Sequence, residues 1–202
     1  MNMHICFAAT LSMGLVSFGA FAQPTGNPAG MAPDTPGVDA AKPAPDYGNN
    51  QDRLFVKLAA IGGQAEVDFG QLAQKKGGSD AVKKFADRMV ADHDKSNERL
   101  LRTARALKVE VPRNGQRIDL DPEHKTIRAE IDRASGVKFD RAYLVSQVQD
   151  HQKTANLLLW EISYGQNQEL TKYASDTLPV VLDHLEMAKR HLMELSEVPP
   201  GR

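Results

Sequence analysis

Three histidines and one glutamate stand where a helical protein ordinarily places leucine. In "MVADHDKSNERL", residues 89–100, His93 occupies the apolar stripe of an amphipathic helix, and "QVQDHQKTANLL", residues 147–158, repeats the arrangement around His151. His184 in "LPVVLDHLEMA" and Glu66 in "EVDFGQLAQKK" take the same kind of position on two further helices. Neutral imidazoles and a carboxylate are ligands for zinc, copper, nickel or iron. One such histidine alone is ordinarily a core residue satisfied by a carbonyl or a water. Four polar residues at one depth are different, because burying them unpaired costs several kcal/mol and a shared partner offsets that cost. Two readings stand side by side: a metal centre made by Glu66, His93, His151 and His184, or a hydrogen-bonded polar layer that fixes helix register.

The neighbouring residues narrow the chemistry. Met89 lies one turn from His93, and Met187 lies near His184 and His191, which suits either a soft copper(I) site or gap-filling in the core. A di-iron oxidase needs Glu-x-x-His on two helices, but Val90, Val148 and Val181 stand three residues before the three histidines. Asp92 and Asp150 directly precede their histidines, about 100° round the helix, and so fall outside the ligand set. They serve as surface charges, interhelix ion-pair partners or acceptors for a ligand. No nucleophile motif, phosphate loop or pair of catalytic carboxylates is present, and no enzyme activity is assigned; action on peroxide or metal ions through the same residues is a distant third reading.

Such a layer requires helices of defined length and turn. An apolar stripe through Phe55, Ala59, Gly62, Glu66, Phe69 and Ala73 predicts the first helix, with Asp52 as its N-cap. "KKGGSD" at 75–80 ends it and caps a second helix to about Lys108, on which His93 follows Val82, Phe85 and Met89 along the seam. Residues 109–136 form a long connection with one short helical stretch near "EHKTIRAEIDRAS". The third helix starts near Val137 with Leu144, Val148, His151, Ala155, Leu158 and Ile162 in heptad spacing, and "YGQNQ" turns the chain into the fourth. Pro179 should kink or break that last helix, since it removes a backbone donor and clashes with the carbonyl four residues back. Glu66 and His93 lie about 12 and 15 residues from the "GG" turn, and His151 and His184 about 16 from the "GQN" turn, so antiparallel packing brings all four to one level. The fold class is all-α, an antiparallel four-helix bundle with a longer connection between helices two and three.

The ends of the chain carry different information. Residues 1–22 hold no Asp, Glu, Lys or Arg, run apolar from Ile5 to Phe21 and close on Ala20-Phe21-Ala22, the pattern of an export signal cleaved after Ala22. The run is shorter than the roughly 20 apolar residues that span a bilayer. Residues 23–50 hold six prolines and four glycines without apolar periodicity, a flexible linker that could tether the bundle to the cell envelope. The bundle then occupies residues 51–197. Cys6, the only cysteine, lies within the signal, so the exported chain must be stable without disulfides. A net charge of −1 with interspersed signs gives no nucleic-acid groove or site for an anionic membrane.

Four blocks, "EVDFGQLAQKK", "FADRMVADHDKSNERL", "FDRAYLVSQVQDHQKT" and "LPVVLDHLEMA", occur in an order that resembles the exported bacterial family known as domain of unknown function 4142. The resemblance covers about residues 52–196 and implies a ferritin-like bundle in the periplasm or envelope; it implies no activity. The functional expectation is an exported, periplasmic bundle that binds one transition-metal ion through the Glu66/His93/His151/His184 layer. Its counterpart is a non-enzymatic envelope stress or interaction protein whose polar layer is structural. Neither reading names a partner.

Overall fold

The computed structural model describes residues 49–197. The export signal expected over residues 1–22 and the linker expected over 23–50 lie outside the described residues, except for Asn49 and Asn50, which belong to the cap and first turn of α1. Four long helices and one short one carry the fold: α1 (Asn50–Lys76), α2 (Asp80–Ala106), α3 (Pro122–Arg133), α4 (Gly136–Tyr164) and α5 (Gln168–Glu197). None of the described helices is long and apolar enough to cross a membrane.

Local chemistry sets the boundaries. Asn49, rather than Asp52, caps α1: its side chain accepts the Asp52 N–H at 2.7 Å, and Asp52 accepts the Asn49 N–H at 3.2 Å. Asp52 thus closes a reciprocal capping box three residues inside the cap. Ser79 caps α2 by accepting the Val82 N–H at 3.2 Å. Between them Gly78 passes so close to Gly136 that a Cβ would fall 2.9 Å from the Gly136 carbonyl carbon, and its N–H donates to buried Asp140 at 2.7 Å. Only a residue without a side chain permits that approach.

The connection between α2 and α4 contains more order than one helix. Arg113–Asn114 (β1) and Arg117–Ile118 (β2) pair antiparallel as a minimal hairpin whose turn starts at Gly115, φ +63°. Glycine at the first turn position suits a two-residue hairpin loop. Pro179 does not break α5, which runs unbroken from Gln168 to Glu197. Proline inside a helix costs about 3 kcal/mol, but Tyr173, Ala174, Val181 and Leu185 are buried on either side of it and hold the helix to the core. Pro179 itself faces solvent, so its ring displaces no packing.

Contacts between helices define the layout. Gly63 meets Asn97 and Gly70 meets Val90, so α1 and α2 run antiparallel. Arg88 pairs with Asp183 and Arg99 with Asp176, so α2 and α5 do as well. Glu66 bonds Gln147, and Asp52 bonds the Gln166 backbone, which sets α4 antiparallel to α1. The segment between α2 and α4 therefore travels the length of the bundle.

The apolar core is divided in two. Phe55, Leu58, Leu100, Leu157, Leu158, Tyr173 and Val181 fill one end, and Phe69, Val82, Phe85, Met89, Phe139, Tyr143 and Ala188 fill the other. On each long helix the polar residue in question falls between members of the two clusters: Glu66 between Ala60 and Phe69, His93 between Met89 and Leu100, His151 between Leu144 and Ala155, His184 between Val181 and Ala188.

Candidate metal centre

Each histidine reaches the bundle axis from a different helix: His93 from α2, His151 from α4, His184 from α5. Their rings form a nearly equilateral triangle with centroids 5.4, 5.5 and 5.4 Å apart. One ring nitrogen of each lies within 4.8 Å of those of the other two, the only such group of three or more potential ligands among the described residues. All three are buried, His93 the least at 8 % exposure.

The second nitrogen of two rings is committed elsewhere. His151 Nδ1 donates to the Gln147 carbonyl at 2.9 Å, which leaves Nε2 as a lone pair; that atom lies 3.4 Å from His93 Nε2. His184 Nε2 donates to Asp92 at 2.9 Å, and His184 Nδ1 is buried with no hydrogen-bond partner. Fixing a ring through its far nitrogen, with a carbonyl or carboxylate as acceptor, is how proteins orient imidazoles toward a metal.

The electrostatics keep the trio neutral. Burial, then the His184 ring, lowers His93 to about 3 against the pull of Asp92. Burial and the two other rings lower His151, with the Gln147 carbonyl opposing. His184 is also lowered, because burial outweighs its bond to Asp92. Partial burial pushes Asp92 upward, but the His184 bond and Arg88 bring it below the usual carboxylate range. His184 and Asp92 are thus a neutral ring bonded to a carboxylate, and unprotonated imidazole is the ligand form.

Glu66 sits at the same depth but outside the triangle. Its Oε1 is 3.6 Å from His151 Nδ1, the side of that ring facing away from His93, and its Oε2 accepts from Gln147 Nε2 at 2.7 Å. Burial, then the charge of Asp150, raises Glu66 well above the ordinary carboxylate range, with the Gln147 bond opposing. Met89 packs among the aromatic residues of one core cluster, and Met187 Sδ accepts from Arg88 at 3.3 Å.

Two residues hold the histidine rings: Asp92, for which the sequence leaves surface charge, ion pair and ligand acceptor open, and Gln147, which the sequence does not single out. Of those three roles Asp92 takes the acceptor and ion-pair ones, because α5 packs close enough to bring His184 against it and Arg88 pairs with it. Gln147, one turn before His151, carried a usable signal: it lies on the same helix face and is fully buried. Arg88 closes the α2–α5 seam over this region, bonding Asp92 at 3.3 Å and Asp183 at 2.7 Å.

The fold and the trio together define an all-α bundle with a cluster of neutral imidazoles at its middle. The family described as Domain of unknown function (DUF4142) matches residues 37–191. The chain belongs to that family. A comparison with curated proteins gives no match. Among solved structures, the chain is similar to the crystal structure of a DUF305 fragment from Deinococcus radiodurans, with a TM-score of 0.64 and 12% identity over 73% of this chain and 98% of that one. It is also similar to CopM in the Cu(I)-bound form, with a TM-score of 0.58 and 17% identity over 71% of this chain and 96% of that one. At such identities the likeness concerns the fold.

Proposed function

We propose that this protein is an exported metal-binding bundle that holds one transition-metal ion through His93, His151 and His184. The observation that carries the reading is a buried His184 ring whose Nδ1 has no partner, beside two further buried imidazoles, with one nitrogen of each of the three rings within 4.8 Å of the others. Leaving such an atom without a partner costs about 1–3 kcal/mol, which a metal bond removes. A set of three neutral imidazoles suits copper or zinc and lacks the carboxylates of a di-iron centre. A similar fold described in its Cu(I)-bound form supports copper as the first ion to try. Glu66 acts from outside the ligand set by holding Gln147, whose carbonyl orients His151. The leader expected at residues 1–22 and the linker behind it support a location in the periplasm or at the envelope. The role is binding, with no catalytic step assigned.

The test is elemental analysis of the untagged chain from residue 23. One equivalent of metal per chain is expected, together with a rise in Tm on adding copper or zinc that His151→Gln abolishes. Absence of stoichiometric metal, with no gain in Tm from zinc, copper, iron or nickel, would sink the proposal.

One observation favours a purely structural layer. Hydrogen bonds run from Glu66 through Gln147 and His151 to His93, and from Asp92 to His184, touching all four long helices without an ion. In that case the bundle is a stress or interaction protein of the envelope, and the same measurement returns no metal.

A further inference from the structure

A second polar pocket opens on the other side of Glu66, between α1, α3 and α4. Its walls include Gly62 and Glu66 from α1, His124 from α3, and Asp150, Lys153 and Thr154 from α4. Gly62 leaves it open, since a Cβ there would meet nothing within 4 Å. The free space suits about one water or one small ion.

Asp150 is the unusual member. It is 5 % exposed, it lines the pocket, and neither carboxylate oxygen has a hydrogen-bond donor. A buried carboxylate without a partner is costly, so a proton, a water or a cation must lie against it. His124 is buried at 2 % exposure and is held by one acceptor: its backbone N–H and its Nδ1–H both go to Asp121 Oδ1, at 2.8 Å each. Asp121 is also the N-cap of α3, so the ring is anchored to a helix start. With Nδ1 donating to Asp121, Nε2 is the ring atom left for a ligand, and the carboxylate behind the ring fixes its orientation. Lys153, the one cation on the wall, is already paired with Glu123.

We propose that Glu66, Asp150 and His124 form a second cation site, distinct from the histidine trio and taking a harder divalent ion such as manganese(II). Two carboxylate groups and one imidazole favour such an ion over copper(I). The three groups are not drawn within 4.8 Å of one another as the histidines are. The ion would therefore have to draw Asp150 and His124 inward. The site does not require metal at the trio, although Glu66 touches both.

The experiment titrates manganese(II) into the untagged full chain, metal-free and after one equivalent of copper(I), counting unbound manganese by electron paramagnetic resonance. One manganese per chain is expected in both states. His93→Gln should leave that count unchanged, whereas Asp150→Asn and His124→Gln should each weaken manganese binding by about 10-fold or more. Circular dichroism checks folding, and if Asp150→Asn fails to fold, His124→Gln and the wild-type count decide. Manganese that stays free in the wild type, or binds both variants as tightly as the wild type, overturns the second site, and a water then fills the pocket. Loss of copper binding alone overturns only the histidine centre.

Discussion

Replacing Glu161 by glutamine should stabilise the protein, by an amount that grows with pH. Glu161 is fully buried, neither of its oxygens receives a hydrogen bond, and the equally buried Asp52 lies against it. Asp52 already accepts from the backbone N–H groups of Asn49 and Gln166, so the proton available between the two carboxyls is the one on Glu161. Burial, then the charge of Asp52 and the hydrogen bond to it, raises Glu161 from 4.5 to about 8. A raised carboxyl pKa means that the folded state keeps a proton the unfolded chain has released. Its stability contribution is present in full below 4.5 and is lost as pH rises toward 8. At about 1.36 kcal/mol for each pH unit, the loss reaches about 3 kcal/mol near pH 7 and approaches 5 kcal/mol above pH 8, a ceiling that any local opening to water reduces. Against a typical total of about 5–15 kcal/mol this is a large share. Glutamine keeps the shape, carries no charge at any pH and offers an N–H toward Asp52. Urea unfolding followed by far-ultraviolet circular dichroism should show wild type and Glu161→Gln nearly equal near pH 4.5, and the variant about 2–3 kcal/mol more stable near pH 7. Parallel stability curves across that range would refute the shared-proton account.

Three further perturbations probe other parts of the molecule. Asp92→Asn should weaken metal binding about 10–100-fold in a chelator competition while leaving the fold intact, because it removes the charge that orients His184. Phe55→Ala, at a fully buried position edge-on to Tyr173 with ring centroids 6.1 Å apart, should cost about 3–5 kcal/mol in urea unfolding. Gly78→Ala should lower Tm, since its Cβ would meet the Gly136 backbone at 2.9 Å, whereas Gly62→Ala, with nothing within 4 Å, should gain up to about 1 kcal/mol from helix propensity.

The helices were legible because each buries one stripe, and a stripe repeats in the sequence. The level of His93, His151 and His184 was legible for a related reason: distance from a tight turn converts to height along an antiparallel pair. What the pattern could not supply was the direction of a side chain relative to another helix. Glu66 has the height expected of a ligand, but Gln147, on α4, draws its carboxylate to the outer side of His151. Asp92 looks like a solvated charge on α2 alone and becomes the acceptor for His184 only once α5 is beside it. Pro179 shows tertiary packing overriding a local rule. The Arg113–Ile118 hairpin is too short for any alternation to register, although Asn114-Gly115 is a turn signal.

Arg88 bears on time rather than affinity. It clips Asp92 to Asp183 across the α2–α5 seam beside His184, so an ion bound as proposed among the histidines would exchange more readily when α2 and α5 part. Residence time would then follow the breathing of the bundle, at the rate seen in amide hydrogen exchange of those helices, more than the strength of the metal–nitrogen bonds. The clip is exposed, and exposed ion pairs weaken as salt screens them. Ionic strength would therefore set how quickly an ion bound as proposed is given up.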